Sequence, residues 1–367
     1  METKRLMSLD VLRGLTIALM IMVNTPGSWT YVYAPLRHAK WHGCTPTDLV
    51  FPFFLFIVGT SMWYSFKKYG EGLTKNGLLK VLKRVLIIFL LGLFLNAFPK
   101  FDFENLRFFG VLQRISLAYG IAAILAMQFN YKKLLVIVGA ILLGYWGLLY
   151  FGGTNDVYSL EFNFGRRVDL FLFGEHHIYK GFGLPFDPEG LLSTIPSVAT
   201  VLIGYFAGRL IEQSSTTIDA IKKILIAGIV IAVIGWFWSY SFPLNKPLWT
   251  SSYVLYTAGL AMLFLALLLW VIDVKQQKKW AQPFIHFGTN PLFIFLFSIL
   301  YVKILIYLVK ISNTNGEIIN GYSYLYKNVF VPIAGNMNGS LLFAVSHIIA
   351  FWLLTYALFK KKIFIKI

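Results

Sequence analysis

The sequence predicts an all-α membrane protein with about ten transmembrane helices and both termini in the cytoplasm. Three observations indicate this fold: an apolar composition, a series of long apolar segments, and basic residues concentrated in alternate loops. Of the 367 residues, 57% are hydrophobic and 13% are charged, and the mean hydropathy is +0.68. Because soluble domains carry about 25% charged residues, this composition excludes an ordinary soluble protein.

A helix needs roughly 20 mainly apolar residues to cross a bilayer. Such segments occur at residues 9–27, 47–66, 79–98, 108–129, 134–151, 191–211, 222–242, 249–272, 283–309 and 340–359. The first follows a short basic stretch, as a signal peptide would, but it is longer than a signal's apolar region and lacks a small-residue cleavage site, so we predict a retained helix. We detect no soluble domain and no internal repeat, and we expect residues 1–367 to form a single transmembrane domain.

The distribution of Lys and Arg predicts the orientation. With the N-terminus inside, the inner loops carry roughly twice as many of these residues as the outer loops. Both termini and the loop at 67–83 are then cytoplasmic, and the stretch at 37–47 lies outside. The net charge of +17 is explained by these loops beside anionic lipid, so we predict membrane lipid and no nucleic acid as a partner.

The residues that could bind a metal are few. The single cysteine excludes a disulfide framework and a Cys-based metal site. His38 and His42 stand four residues apart, but Gly43 and Pro46 predict a loop there, and no further ligand cluster accompanies the pair. We therefore predict no metal.

Charged and amide side chains inside apolar segments are costly and are candidates for function. Arg114 falls well inside the fourth segment, and we expect it to pair with a carboxylate such as Asp48 or Asp10, or to contact a ligand. Arg13 follows Asp10 by three residues, a spacing that also fits a local ion pair. Asn290 stands directly before a proline, where a membrane helix loosens and its backbone becomes available to a ligand.

Groups suited to acyl transfer meet at the outer ends of the first two segments. His38 carries an imidazole, the side chain that most often serves as a proton acceptor in catalysis. Asp48 can support it, although a carboxylate at the start of a helix can also be only a cap. Asn24 ends the first segment and can donate a hydrogen bond to an acyl oxygen as negative charge develops there.

Six strings of sequence, in this order along the chain, resemble one known family. They are SLDVLRG (8–14), HAKWHGCTPTDLVFPFFLFIVG (38–59), GVLQRISLAY (110–119), FDPEGLLSTIPSVATVLIGYFAG (186–208), PLNKPLWTSSYVLYTAGLA (243–261) and FGTNPLFIF (287–295). Together they resemble the heparan-α-glucosaminide N-acetyltransferase family and its bacterial relatives. The resemblance implies a multipass enzyme that moves acetyl from cytosolic acetyl-CoA to the amine of a terminal glucosamine across the membrane.

The resemblance also implies roles for particular residues. His38 stands at the position of the family's active-site histidine, as general base or as acetyl carrier, and Asn24 and Asp48 match its helix-one Asn and helix-two Asp. The animal lysosomal member has an additional luminal N-terminal region and an extra helix. Because this chain starts directly at the first string, we expect a cell-envelope amino sugar and a bacterial inner (plasma) membrane. A homodimer is left open.

Further residues are expected to bind the two substrates. Basic and polar side chains of the inner rim and the bundle suit the phosphates and the inserted arm of CoA: Arg13, Arg84, Arg114, Arg209 and Asn290. Outer aromatic, charged and amide side chains suit an amino sugar: Trp41, Asp187, Glu189, Asn245 and Lys246. The alternatives are an O-acyltransferase of a cell-envelope glycan and a sugar transporter without chemistry. The missing repeat and the outward His38 argue against the transporter.

Overall fold

The computed structural model describes residues 6–66, 72–312 and 317–365. Its α-helices are α1 Met7–Asn24, α2 Val50–Phe66, α3 Lys75–Ala97, α4 Val111–Gln128, α5 Tyr131–Gly152, α6 Phe164–Phe173, α7 Leu191–Glu212, α8 Thr217–Trp238, α9 Ser251–Leu268, α10 Gln282–Thr289, α11 Pro291–Lys303, α12 Gly321–Leu325 and α13 Val331–Lys360. A short antiparallel hairpin joins β1 Lys310–Ser312 to β2 Ile318–Asn320. Of the basic residues behind the predicted orientation, Lys4, Arg5, Lys67, Lys68 and Lys366 lie outside the described residues.

Short non-α turns extend several of these helices. The 3₁₀ turns are Ala34–Leu36, Pro46–Leu49, Glu175–His177 and Lys279–Ala281, and the π-helical turns are Leu269–Val274, Ile304–Leu308 and Tyr326–Phe330. The Pro46–Leu49 turn leads directly into α2, so the loop before α2 is fixed to the bundle.

The prediction of an all-α membrane protein is confirmed. Among the described residues, nine helical spans are long and apolar enough to cross a membrane, and they coincide with nine of the ten predicted segments. The remaining segment, at 79–98, forms α3. Every 18-residue stretch of this helix contains Lys80, Lys83 and Arg84, so each stretch carries more than the two charged residues accepted for a membrane span. The charged half of α3 therefore suits the inner rim of a membrane.

The bundle is built around α7. Within its most apolar stretch 83% of the residues are buried, against 28% for α5 and for α8, which lie at the periphery. Helices α2 and α7 cross at backbone contact: a Cβ on Gly59 would lie 1.8 Å from the carbonyl oxygen of Val201, and one on Gly204 would lie 2.0 Å from that of Phe56. Small residues of this kind allow membrane helices to approach closely.

The α1–α2 and α8–α9 loops meet on one face of the bundle, called the loop face below, and both ends of the described chain lie on the other. On the loop face, the Gly43 N–H donates to the Leu244 carbonyl at 2.7 Å, which joins the α1–α2 loop to the α8–α9 loop. On the opposite face, Asn290 bonds the backbone of Ile363 and Ile365. The start of α1 lies there too, since a Cβ on Gly288 would touch the Asp10 carbonyl. Both ends of the described chain thus share one face.

Candidate active site

The centre of the candidate site is a His–Asp pair on the loop face. His38 Nδ1 lies 2.6 Å from Asp48 Oδ1, and the Asp48 side chain is 2% exposed against 42% for His38. The other oxygen, Oδ2, accepts the backbone N–H of Ala39 at 3.0 Å and of Thr45 at 3.1 Å, and lies 2.9 Å from the Thr45 hydroxyl. Asp48 is therefore both a helix-capping residue and the partner of His38, so the two roles considered for it from the sequence are compatible.

The local sequence explains this dual role. Thr45 is the N-cap and Pro46 begins the 3₁₀ turn, which makes Asp48 the third residue and completes a capping box with Thr45. The tyrosine hydroxyl of Tyr253 on α9 donates to the Asp48 carbonyl at 2.5 Å. The aspartate is thus held from both sides and presents one oxygen to His38.

Lys246 joins the pair from the loop between α8 and α9. Its Nζ lies 3.5 Å from Asp48 Oδ1 and 3.3 Å from His38 Nδ1. Burial lowers the pKa of Lys246 below its ordinary value, although the neighbouring Asp48 carboxylate acts in the opposite direction. Lys246, which we expected to contact the sugar, therefore lies against the His–Asp pair itself.

A second charged cluster forms the facing wall. Arg107 donates to both oxygens of Asp187, from Nε at 2.8 Å and from Nη2 at 2.7 Å, and Nη2 also donates to Glu189 at 2.6 Å. Its guanidinium lies 4.7 Å from the Tyr179 ring centroid. Burial alone would lower the pKa of Arg107, but the hydrogen bonds and charges of the two carboxylates raise it overall.

Arg114 forms the buried end of the site. The residue is 1% exposed and lies in the first turn of α4, with its guanidinium 4.9 Å from the Trp249 ring centroid. Its Nη2 donates to the Ser193 hydroxyl of α7. The expected pairing of Arg114 with Asp48 or Asp10 is wrong, since its hydrogen-bond partner in the described chain is Ser193.

These groups surround a cavity of about 410 Å³, within the size range of small-molecule sites. It is lined by His38, Ala39, Trp41, Asp48, Arg107, Val111, Arg114, Tyr179, Gly181, Phe182, Pro188, Glu189, Lys246, Pro247 and Trp249. Six residues selected from the sequence are brought together here: His38, Trp41, Asp48, Arg114, Glu189 and Lys246. Sequence reasoning missed Arg107, which lies in the loop before α4 and carried no signal beyond its charge among the outer-loop basic residues.

Two expected sugar contacts lie behind the cavity wall. Asp187 is 1% exposed and bonds Arg107 and the Glu189 N–H. Asn245 is fully buried, and its amide donates to the Trp41 carbonyl at 3.1 Å and accepts from the Leu248 N–H at 2.7 Å. Both residues hold the loops that present their neighbours.

Asn24 stands apart from the cavity. It is the last residue of α1 and is exposed, and it does not line the space around His38. The amide donor expected beside the acyl oxygen therefore lies elsewhere in this arrangement.

The remaining candidates for CoA lie away from the cavity. Arg13 bonds Asp10 at 2.9 Å and Ser61 at 2.7 Å, and both amide atoms of Asn290 bond backbone near the C-terminus.

Two further arginines cover aromatic rings. The Arg84 guanidinium lies 4.7 Å from the Tyr119 ring centroid, and that of Arg209 lies 4.0 Å from the Tyr131 ring centroid. In the part of the chain that the structure describes, no cluster of three or more His, Cys, Asp and Glu side chains could hold a metal ion.

Comparison with known proteins identifies relatives along the whole chain. A family described as heparan-alpha-glucosaminide N-acetyltransferase, catalytic, matches residues 5–236. The human heparan-alpha-glucosaminide N-acetyltransferase is 26% identical over 425 residues, covering 99% of this chain and 60% of the human protein. The mouse protein of the same name is 26% identical over 431 residues, covering 100% of this chain and 61% of its own. The chain thus spans about three fifths of the length of these curated relatives.

Proposed function

Because this chain belongs to the heparan-α-glucosaminide N-acetyltransferase catalytic family, we propose that it transfers acetyl from cytosolic acetyl-CoA to the amine of a terminal glucosamine or related amino sugar on the extracytoplasmic side. The relatives' printed names describe acetyl transfer to a glucosaminide. We further propose that the membrane is a bacterial inner membrane.

The observation that carries this proposal is the His38–Asp48 pair on the wall of the cavity. Asp48 accepts backbone N–H groups, which favours its ionised form. An ionised carboxylate 2.6 Å from Nδ1 requires that Nδ1 carry the proton and donate it. Nε2 is then left with its lone pair and can take a proton from an attacking amine.

The exposure of His38 supports a general base over an acetyl carrier. Its side chain is 42% exposed, so an acetyl-imidazole formed there would face water and hydrolyse. In the direct route the amine nitrogen attacks the thioester carbon, and His38 takes its proton as the C–N bond forms. The C–S bond then breaks, and the CoA thiolate receives that proton.

For the CoA phosphates we propose Arg84 and Arg209. Each guanidinium covers an aromatic ring, and stacking on a ring leaves in-plane donors available for an anion. Arg209 Nε also donates to Gln213 Oε1 at 3.0 Å, which leaves its terminal N–H groups for the anion. Arg13 bonds Asp10 and Ser61, and both amide atoms of Asn290 bond backbone. We therefore expect Arg84→Gln with Arg209→Gln to weaken CoA binding more than Asn290→Ala does, measured by titration calorimetry.

The test of the function is a reaction with purified protein, isotopically labelled acetyl-CoA and glucosamine, followed by mass detection of products. We expect labelled N-acetylglucosamine from the natural protein and at least about 10²-fold less from His38→Gln. Arg167→Gln is the matched control, since Arg167 bonds the Gly152 carbonyl away from the cavity.

Other outcomes of the same reaction identify the alternatives. An acetylated sugar that loses its label to alkaline hydroxylamine would be an O-ester and would favour the O-acyltransferase, because an N-acetyl amide resists this reagent. Unmodified glucosamine accumulating inside proteoliposomes, with no acetylated product, would favour the transporter. Equal turnover by the natural protein and His38→Gln would remove His38 from the mechanism.

The proposed orientation has its own test. In a Cys44→Ser background, single cysteines replace Arg167 on the loop face or Lys133 at the start of α5. We expect a membrane-impermeant maleimide to label position 167 in intact cells and position 133 only after permeabilisation. The reverse pattern would refute an outward-facing cavity.

A further inference from the structure

One buried cation in the cavity has hydrogen-bond donors that the protein does not use. The Nε and Nη1 atoms of Arg114 are buried and have no hydrogen-bond partner among the described residues, while Nη2 donates to Ser193. Leaving a buried charged donor without a hydrogen-bond partner costs more free energy than leaving a neutral donor without one. The residue that carries these unsatisfied donors, Arg114, lines the cavity.

The other cations of the cavity differ from Arg114. Arg107 donates three hydrogen bonds to carboxylates, and Lys246 lies beside Asp48. Their charges are therefore matched by carboxylate partners within about 3.5 Å. Arg114 is matched by a neutral hydroxyl and by the face of Trp249, so its free N–H groups remain for an oxygen of a bound molecule.

We propose that Arg114 is a catalytic residue whose free N–H groups hold the thioester carbonyl oxygen as it becomes an oxyanion. The proposal rests on the acetyl transfer proposed above. When the amine attacks, the π electrons of the carbonyl move onto that oxygen, and when the C–S bond breaks they return to form the amide. Donors already in place stabilise this charge most effectively where water is excluded.

The position of Arg114 fits this role better than that of Asn24, which we had expected to hold the acyl oxygen. Asn24 is exposed and does not line the cavity, whereas Arg114 lines it and is 1% exposed. In the proposed orientation Arg114 also lies deeper than His38, because it belongs to a membrane-spanning helix and His38 to a loop. A donor arriving from the cytoplasm meets Arg114 from that deeper side.

A purely structural role would also explain a bond between α4 and α7, so the test must separate the two. Free CoA lacks the acetyl carbonyl, and its binding therefore reports the donor site without the oxyanion contact. We would measure kcat for N-acetylglucosamine formation, Kd for CoA by calorimetry, and Tm, for Arg114→Gln, Arg114→Lys and the control Arg167→Gln.

For Arg114→Gln we expect kcat to fall about 10²–10³-fold, with Kd for CoA changed by less than about threefold. Arg114→Lys keeps the charge but not the fork of donors, and we expect a smaller loss of kcat. If Arg114→Gln does not fold, Arg114→Lys carries the test, and its kcat must still fall while its Kd for CoA is kept. Arg167→Gln should match the natural protein in all three measurements.

Two results would overturn the role of Arg114: a variant kcat within about threefold of the natural value, or equal losses in kcat and CoA affinity with a lowered Tm. Failure of the proposed function is a different result, since the natural protein itself would then form no acetylated sugar.

Discussion

Replacing Asp48 by Asn tests the centre of the proposed mechanism with the smallest change in shape. An Asn at this position can direct its carbonyl oxygen to the place of Oδ2 and keep the N–H groups of Ala39 and Thr45. Its NH₂ group then faces His38 Nδ1, where the carboxylate oxygen now lies at 2.6 Å. His38 must accept at Nδ1, so Nε2 carries the proton and can no longer receive one from the amine.

The size of the effect follows from what is lost and what is kept. Loss of a positioned general base costs about 10²–10⁴ in rate, which corresponds to roughly 3–5 kcal/mol in the activation barrier. The capping hydrogen bonds are retained in neutral form, so we expect the free energy of unfolding to fall by only about 1–2 kcal/mol. Asp48→Asn should therefore be nearly inactive and still folded.

The assay compares kcat for N-acetylglucosamine formation with Tm in the same detergent. A variant with kcat within about threefold of the natural value would refute the role of the pair in proton transfer. Loss of activity together with a large fall in Tm would mean that Asp48 acts through the helix cap alone.

Three further predictions concern stability. Arg107→Met leaves Asp187 buried without its partner and should lower the free energy of unfolding by roughly 3–5 kcal/mol, which an unchanged Tm would contradict. Gly59→Val places a side chain 1.8 Å from an α7 carbonyl oxygen and should lower Tm, while Gly139→Val, whose Cβ meets nothing within 4 Å, is the matched control. Burial raises the pKa of Asp169 to about 7, so the folded state retains this proton longer than the unfolded chain. The free energy of unfolding should therefore fall as pH rises through roughly 4–7, by roughly 2 kcal/mol between pH 5 and 7. Thermal melts of Asp169→Asn should lack this fall. An equal change of Tm with pH in the natural protein and the variant would refute the prediction.

The helices were predictable from the sequence because membrane-spanning segments are recognised by their length and hydropathy. The breaks within them were not. The predicted helix at 283–309 is divided at Asn290 into α10 and α11, where the backbone bends between Gly288 and Pro291. The last predicted segment, at 340–359, lies in α13, which begins at Val331 and is interrupted by a kink of non-helical backbone at Gly335, where φ is 73°. Local loosening was foreseen at Asn290, but its geometry depends on packing against α1.

The candidate site was predictable where its parts are close in sequence. His38 and Asp48 are ten residues apart and joined by a capped turn, so residue type and spacing sufficed. Arg107 and Asp187 are 80 residues apart. Their pairing depends on how two loops pack against each other at the end of the bundle, and no periodic sequence pattern predicts that packing.

The described charges give the cavity a polarity that matches the proposed reaction. Arg107 shares one positive charge between two carboxylates, Asp187 and Glu189, so that wall is net negative. The buried Arg114 contributes a positive charge that makes no hydrogen bond to a carboxylate among the described residues, although Glu189 and Asp187 are close enough to interact with it electrostatically. An amino sugar arrives as an ammonium ion, which the negative wall attracts, and the charge that develops on the thioester oxygen is attracted to Arg114. His38 lines the same cavity as these charges. Once the ammonium has lost one proton to water, His38 can take the second proton from the amine as its nitrogen attacks.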